Sequence, residues 1–215
     1  GRGAGIGMAK ESTWGTAVSR TDWHQLISES LSRTIERPFA PHLGGSSEFV
    51  QKEVYLAGDD AGGEMEFEAV YNSICLGHVL FAALGACATS GPSGSEYTHT
   101  FALASTLPSF TIESLRGTGG AEVFEGMKCS SISLSIAQRA TMRVRTSWIG
   151  QTTGGRVSKG TPTYASTPRP ILSSQVGTLG WNSATFAKVV SLDFVLDNRL
   201  ERRNYLGSNQ TTEPD

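Results

Sequence analysis

The sequence predicts a mainly β fold, an antiparallel β-sandwich or barrel with one flanking α-helix. Apolar and polar residues alternate along many short segments, which is typical of strands with one buried face. Glycine accounts for 25 of the 215 residues and charged residues for 18%, a composition that favours turn-rich β structure over a helical bundle. Because the links between the alternating segments are short, we expect neighbouring strands to run antiparallel.

The alternation is clearest in a segment that carries three glutamates. Its apolar positions are predicted to face the core: Met65, Phe67 and Ala69. Its charged positions are predicted to face the opposite way: Glu64, Glu66 and Glu68. The same period of two predicts strands in six further segments: residues 23–30, 97–103, 109–115, 130–137, 140–148 and 185–196.

One segment, residues 72–87, has the period of a helix instead. Apolar side chains recur there at i, i+3 and i+4 and form a single stripe: Leu76, Val79, Leu80, Ala83, Leu84 and Cys87. Asn72 or Ser73 can cap the start, and the glycines and proline that follow are helix stop signals. We expect this helix to pack on an open side of the sheets, with Cys87 buried near its C-terminal end.

Three stretches lack a clear period. The glycine-rich opening does not have the glycine spacing of a nucleotide-binding loop, and residues 1–20 are predicted to be an arm that leads into the first strand. Residues 32–63 are predicted to be a long loop, and loops of that length inside a domain usually serve a function. Residues 150–184 are rich in glycine, serine, threonine and proline and are predicted to be a linker or surface arm.

The chain is predicted to hold one complete domain and the start of another. Residues 31–45 and 196–208 each contain an aliphatic residue, a Glu-Arg pair and then a Leu-Gly pair. This internal echo is weak, and chance is the other explanation. We therefore expect a domain over residues 1–180 and the beginning of a second, related domain over residues 181–215.

No motif predicts catalysis, a cofactor or a metal site. The four histidines are scattered, without metalloprotease or zinc-finger spacing, and no nucleophile elbow is present. The net charge of −2 provides no basic field for nucleic acid. Three widely spaced cysteines argue against a disulfide scaffold, and no signal peptide or membrane span is visible, so we expect a soluble protein made in the cytoplasm.

Several blocks of the chain have a specific order and spacing. They are Glu11–Thr16 with its Trp-Gly-Thr, the helix that closes on Leu84–Gly85, residues 97–113, and the Phe-x-Gly-Met-Lys of 124–128. Over about residues 5–150 this order resembles that of tail tube proteins of long-tailed, siphovirus-like bacteriophages. Residues 189–208 resemble the stretch that opens the second half of two-domain members, so the chain is expected to lack most of a second domain.

The resemblance implies a structural virion protein without catalytic activity or cofactors. It implies subunits that form six-fold or pseudo-six-fold rings, stacked into a hollow tube through which DNA passes. The implied partners are further copies of the chain, other tail proteins (tape measure, tail terminator and distal tail proteins) and genomic DNA, which passes without sequence-specific binding. No membrane is involved; assembly is expected in the cytoplasm of the bacterial host, and the final location is the virion tail.

Two sets of residues acquire candidate roles in such a tube. An acidic or neutral wall lets DNA slide, whereas lysine and arginine would hold its phosphates, so the lumen-lining candidates are Glu64, Glu66 and Glu68. The candidates for contacts between subunits or rings are Arg33, Glu36, Arg37, Phe39, His42, Phe49, Arg143 and Arg145. We expect Arg143 and Arg145 to lie outside the lumen or to pair across a subunit interface.

Two other functions stay open at the level of the sequence. A tube protein of a contractile injection or secretion system shares the ring-forming design. A β-sandwich carbohydrate-binding or adhesin module would carry exposed aromatic residues on one face, and the four tryptophans are not clustered in the sequence. A module stays monomeric, whereas tube subunits form rings or filaments as their concentration rises.

Overall fold

The computed structural model describes most of the chain: residues 4–38, 56–71, 73–94, 96–117, 120–157, 160–164, 169–172, 179–181, 184–186, 189–206, 208 and 210–214. Three of the candidate contact residues, Phe39, His42 and Phe49, lie outside the described residues.

Strands dominate the described residues, with one helix among them. The strands are β1 (Gly5–Lys10), β2 (Asp22–His24), β3 (Ser28–Glu29), β4 (Ser32–Glu36), β5 (Gly58–Glu68), β6 (Gly85–Ser93), β7 (Glu96–Leu103), β8 (Phe110–Leu115), β9 (Ala121–Ala137), β10 (Arg143–Gly150), β11 (Thr152–Val157), β12 (Leu179–Trp181), β13 (Ala184–Phe186) and β14 (Ser191–Asp197); the helix is α1 (Ile74–Leu84). The strands of each ladder run antiparallel. The predicted fold class is therefore confirmed.

One long strand organises the main sheet. Its strand order is β2-β1-β8-β9-β10-β5-β3, with β4 also on β5 and with β11 and β14 also on β9. The first half of β9 pairs with β8 and β11, and the second half pairs with β10 and β14. The sheet therefore has two halves that share β9, and β14 is the outermost described strand on one side of the second half.

The core lies between these two halves and α1. Phe110 and Phe124 come from the first half, Phe67 and Trp148 from the second, and Val79 from the helix, and each is at most 1% exposed. The predicted inward positions of the glutamate-rich strand are confirmed: Met65, Phe67 and Ala69 are at most 1% exposed. Hydrophobic burial on one face of every contributing element is what stabilises this arrangement.

The helix lies where the sequence predicts it, but the side that it buries differs from the predicted stripe. It ends at Gly85, which has a φ of 91° and donates its backbone N–H to Phe81 O, as expected of a glycine stop signal. Ser73 occupies the N-cap position, yet its Oγ lies 3.1 Å from His24 Nδ1 and makes no capping bond. The buried helix positions are Cys75, Val79, Ala82 and Ala83.

The prediction that Cys87 is buried near the end of the helix is wrong. Cys87 lies on β6 and is exposed. The residues after Gly85 form β6 and not only a helix stop, because the chain continues straight from the left-handed glycine into a hairpin with β7. This hairpin is a separate two-stranded sheet.

The predicted long loop is shorter at both ends than residues 32–63. β4 pairs with the first part of β5, from Ser32 opposite Gly62 to Glu36 opposite Gly58. The sequence of this part of β5 does not indicate a strand because two of its buried side chains are Asp59 and Asp60, whose charges are compensated by hydrogen bonds and ion pairs. No apolar alternation therefore marks it.

The glycine-rich opening is an inner strand over Gly5–Lys10 and not a free arm. β1 lies between β2 and β8, and Ile6 and Met8 are fully buried. A Cβ at Gly7 would lie 2.9 Å from the ring of Trp23, so the missing side chain lets that ring pack against the strand.

The C-terminal third adds strands to the same sheet. Residues 152–157, within the predicted linker, form β11 on β9. Residues 191–197 form β14, whose partner is also β9. Two predicted strands are each divided in two, giving β2 and β3 over residues 23–30 and β13 and β14 over residues 185–196. The predicted domain boundary near residue 181 stays a prediction.

Candidate functional site

Four neighbouring strands, β5, β10, β9 and β14, carry a set of side chains on one side of the sheet that is polar at every position except Val195. The strand registers align them in three rows across the strands. We call this set the polar face: Glu68, Arg143, Ser135 and Asp193; Glu66, Arg145, Ser133 and Val195; Glu64, Ser147, Ser131 and Asp197. The outward positions of strands with a period of two thus form one surface, because the three registers between the four strands agree.

The other side of the same four strands faces the core. Phe67 and Val144 are fully buried there, and Ile132 is 2% exposed. This burial decreases toward β14, where Phe194 is 49% exposed and lies opposite the partly buried Leu134. The apolar side of β5, β10 and β9 is therefore buried in the core, whereas the apolar side of the outermost strand, β14, is partly exposed.

Salt bridges cross the polar face between β5 and β10. Arg143 Nη1 lies 3.0 Å from Glu66 Oε1, and Arg145 Nη2 lies 2.7 Å from Glu64 Oε2. Both guanidinium groups belong to side chains that are more than half exposed. Arg143 and Arg145 therefore share one face with the glutamates and pair with two of them within the same chain. The role of this face as a lumen wall stays a prediction.

The polar face carries a negative balance. Its three rows contain five carboxylates and two guanidinium groups. The third glutamate, Glu68, accepts a hydrogen bond of 2.8 Å from Thr141 Oγ1. Ion pairs as exposed as these contribute little to stability, so their physical effect is on the surface field: each arginine already has a carboxylate at hydrogen-bond distance.

The remaining described candidates for contacts lie on or next to β4. Arg33 Nε donates to Asp59 Oδ1 at 2.6 Å, and this hydrogen bond holds the pKa of the Asp59 carboxyl below its usual range. Glu36 and Arg37 are exposed at the end of the strand. Arg33 is therefore held within its own subunit, whereas Glu36 and Arg37 are on the surface.

Sequence reasoning did not identify a buried carboxylate that joins three of the characteristic blocks. Glu11 is 4% exposed, and it accepts hydrogen bonds from Thr111 Oγ1 (2.9 Å), the Gly126 backbone N–H (2.9 Å) and the Gly15 backbone N–H (3.0 Å). Trp14 Nε1 donates to Gly126 O at 3.1 Å. We call these residues the Glu11 junction: Glu11, Trp14, Gly15, Thr111 and Gly126. The sequence indicates this junction only through the order and spacing of the three blocks, because each block supplies one part of the hydrogen-bond network.

A second contact that the sequence does not predict involves a buried lysine. Lys128 is 4% exposed, and its Nζ lies 2.9 Å from Pro214 O and 2.8 Å from Glu213 Oε1. Thr211 Oγ1 donates to Asp60 in the same region. The segment 210–214 thus closes over the start of β5, and no local pattern in the sequence indicates it.

The described residues contain no helix long and apolar enough to cross a membrane. They also contain no group of three histidine, cysteine, aspartate or glutamate residues placed to hold a metal ion.

A comparison with protein-family models agrees with the resemblance of the blocks. A family model described as phage tail tube protein matches residues 1–214. A comparison with curated proteins finds no match. Since the family model covers nearly the whole chain, and since the fold is mainly β with one helix, the chain belongs to the phage tail tube protein family, structural proteins of the virion tail.

Proposed function

We propose that the chain assembles into hexameric or pseudo-hexameric rings, which stack into the hollow tail tube through which DNA passes. The membership of the tail tube family supports a structural, self-assembling role. The rings themselves, their symmetry and the passage of DNA are inferences from the surfaces described below.

The open edge of the sheet supports ring formation. Among the described residues β14 pairs only with β9, so the other edge of β14 has no partner strand. Val195 on this strand is 66% exposed and Phe194 is 49% exposed. An unpaired strand edge is a hazard in a monomer because it can pair with other chains, and closing a ring removes it because each edge meets a neighbour.

The observation that carries the proposal for the lumen is the polar face. A sheet with one side in the core and the other side polar at nearly every position suits a wall that encloses water. Its excess of carboxylates avoids the release of counterions that makes DNA bind to lysine and arginine. The candidate lining residues Glu64, Glu66 and Glu68 therefore keep their role in the proposal, joined by the serines of β9.

The two arginines on this face fit the same role. Glu66 and Glu64 lie within 3.0 Å of Arg143 and Arg145, so a DNA phosphate would have to compete with a carboxylate for each guanidinium group. We propose that the pairs keep the wall from holding DNA.

The residues around the hairpin of β4 and β5 supply contacts with neighbouring subunits or rings in this proposal. Glu36 and Arg37 lie at its surface, and Phe39, His42 and Phe49 follow them in the sequence. The tape measure, tail terminator and distal tail proteins are the other proposed partners, and assembly takes place in the host cytoplasm before the tube becomes part of the virion.

Negative-stain electron microscopy of the purified chain over a range of concentrations tests the assembly. We expect rings at intermediate and hollow filaments at high concentration, with the symmetry visible in end views. A chain that stays monomeric at every concentration, with its fold intact by circular dichroism, would contradict the proposal.

A further inference from the structure

Two exposed strand edges on opposite parts of the chain have complementary patterns. We propose that β7 of one subunit pairs in parallel with the open edge of β14 in the next subunit and so joins the subunits of a ring. This inference rests on the proposed function, because its partner is a second copy of the chain.

The hairpin of β6 and β7 is exposed to an unusual degree. Seven of the nine β6 positions and seven of the eight β7 positions are exposed, with Leu103 72% and Tyr97 58% exposed. A two-stranded hairpin without a covered apolar face is only marginally stable in water. Of its two edges β7 is the stronger candidate for pairing, because β6 contains glycines and Pro92 whereas the sequence of β7 is rich in aromatic and threonine residues.

The hydrogen bonds of β14 show which of its backbone groups point toward β9 and which point away from it. Gln138 N–H donates to Val190 O, and Asn198 N–H donates to Ser130 O. Within an antiparallel ladder, inward and outward backbone groups alternate from residue to residue. Even-numbered residues of β14 therefore bond to β9, and the outward groups belong to the odd-numbered ones: Ser191, Asp193, Val195 and Asp197.

The same reasoning applies to β7. Ala104 N–H donates to Leu84 O, in register with the β6–β7 ladder. Even-numbered residues of β7 therefore face β6, and the outward backbone groups belong to the odd-numbered ones: Tyr97, His99, Phe101 and Leu103. In contrast to β14, the outward residues of β7 are those with the large side chains.

This difference in phase selects a parallel pairing. In parallel strands, a residue whose backbone groups point toward the partner lies opposite a residue whose groups point away. Pairing in that way places Phe194 opposite Phe101 and Leu196 opposite Leu103 on the apolar side. On the polar side Asp193 then lies opposite Thr100, whose hydroxyl is a donor for its carboxylate, and Val195 lies opposite Ala102.

The charges distinguish the hairpin from the other exposed edges. A second β14 would bring Asp193 and Asp197 against the same two carboxylates, and like charges directly opposite each other are unfavourable. β4 would add Glu36, and its arginine is already bound to Asp59. Between Tyr97 and Leu103 there is no carboxylate, so β7 meets the acidic edge without repulsion.

A charged residue on the open edge gives the first test. Val195→Lys places a charge on an edge position that is 66% exposed in the subunit, so the fold should be retained, as checked by circular dichroism and thermal unfolding. We expect rings and filaments to form only at concentrations at least about tenfold higher than for the natural sequence, since edge lysines block strand pairing. The matched control, Val195→Thr, keeps a β-branched side chain and should assemble as before. Normal assembly of a folded Val195→Lys variant would overturn the inference.

Disulfide trapping gives the second test and fixes the register. In a Cys87→Ser background, we expect assembled Val195→Cys, Ala102→Cys subunits to form covalent ladders on oxidation. The control pair, Val195→Cys with Leu103→Cys, places the two thiols on opposite sides of the joined sheet and should not. Rings whose 195–102 pair stays uncrosslinked, or whose position 195 crosslinks instead to a cysteine at Ile35 on β4, would overturn the inference while the proposed function stands. Failure of the natural sequence to form any ring overturns the proposed function as well.

Discussion

The two sides of the strands β5, β10, β9 and β14 differ in almost every physical respect although their residues alternate along one chain. Phe67 is fully buried in the core, and its neighbour Glu66 pairs with Arg143 at the surface. The core side holds the subunit together through the burial of apolar surface, which is the dominant favourable contribution to folding. The polar side contributes little to stability. Folding therefore does not dictate its residues, and its contacts outside the subunit can.

Two carboxylates make the same comparison within one residue type. Glu11 is 4% exposed and accepts three hydrogen bonds within the Glu11 junction, whereas the Glu64 side chain is half exposed and has one arginine partner. A carboxylate in a buried network is costly to alter because its donors would be left unpaired. The difference teaches that position, and not residue type, separates the folding role from the surface role.

The largest expected effect is on the core side. Phe67→Ala should lower the free energy of unfolding by about 3–5 kcal/mol, since it removes a fully buried ring and leaves a cavity. Urea unfolding at concentrations where the chain is monomeric measures it. Glu66→Ala, one residue away, is the control and should cost less than about 0.5 kcal/mol. Equal losses for the two variants would break the comparison of the two sides.

The second effect concerns the Glu11 junction. Glu11→Gln should cost about 2 kcal/mol, because its amide group turns a donor toward the N–H and O–H groups that now donate to the carboxylate. Glu64→Gln is the matched control and should be nearly neutral. An unfolding midpoint that is unchanged in Glu11→Gln would show that the junction does not hold the blocks together.

A smaller effect is expected from pH. Burial lowers the pKa of His24, whose Nε2 lies 3.1 Å from Glu68 O, and burial also lowers the pKa of His78. Below about pH 6.5 the unfolded chain therefore binds more protons than the folded one. The free energy of unfolding is highest above about pH 6.5 and decreases as the pH falls toward the folded pKa values. We expect a lower urea midpoint at pH 5.5 than at pH 7.5, and a smaller difference for His24→Gln. A midpoint that rises on acidification would contradict the assignment.

The smallest expected effect is on the polar side itself. A double-mutant cycle of Glu64→Ala and Arg145→Ala should give a coupling free energy of about 0.5 kcal/mol or less, because both side chains are at least half exposed. The coupling should weaken further in 1 M salt. A coupling above about 2 kcal/mol would place this pair among the stabilising contacts and erase the contrast with the Glu11 junction.

Local patterns predicted the elements whose two sides differ in polarity. The period of two predicts β5 from Gly63 onward, and the glycine stop predicts the end of α1. Both signals depend only on residues that are close together in the sequence. The same patterns do not predict strands whose buried positions are polar residues or glycine, as at Asp59 and Asp60 in the first half of β5 and at the glycines of β1.

The candidate site was predictable only in part, for a related reason. The outward direction of Glu64, Glu66 and Glu68 follows from alternation alone. Their pairing with Arg143 and Arg145 depends on the register between β5 and β10, and the Glu11 junction joins residues more than 90 positions apart. Contacts that form across such distances leave no periodic trace in the sequence.

The accessibility of the polar face in assembled tubes tests the central claim most directly. Ser133→Cys in a Cys87→Ser background places a thiol in the middle of that face with little change in size, and Cys75 and Cys129 are buried. A small maleimide should label position 133 in both free subunits and tubes, whereas a maleimide coupled to a large protein should label free subunits only, because the wall of the tube excludes it. Equal labelling of intact tubes by the large reagent would place the polar face on the outside and contradict the account.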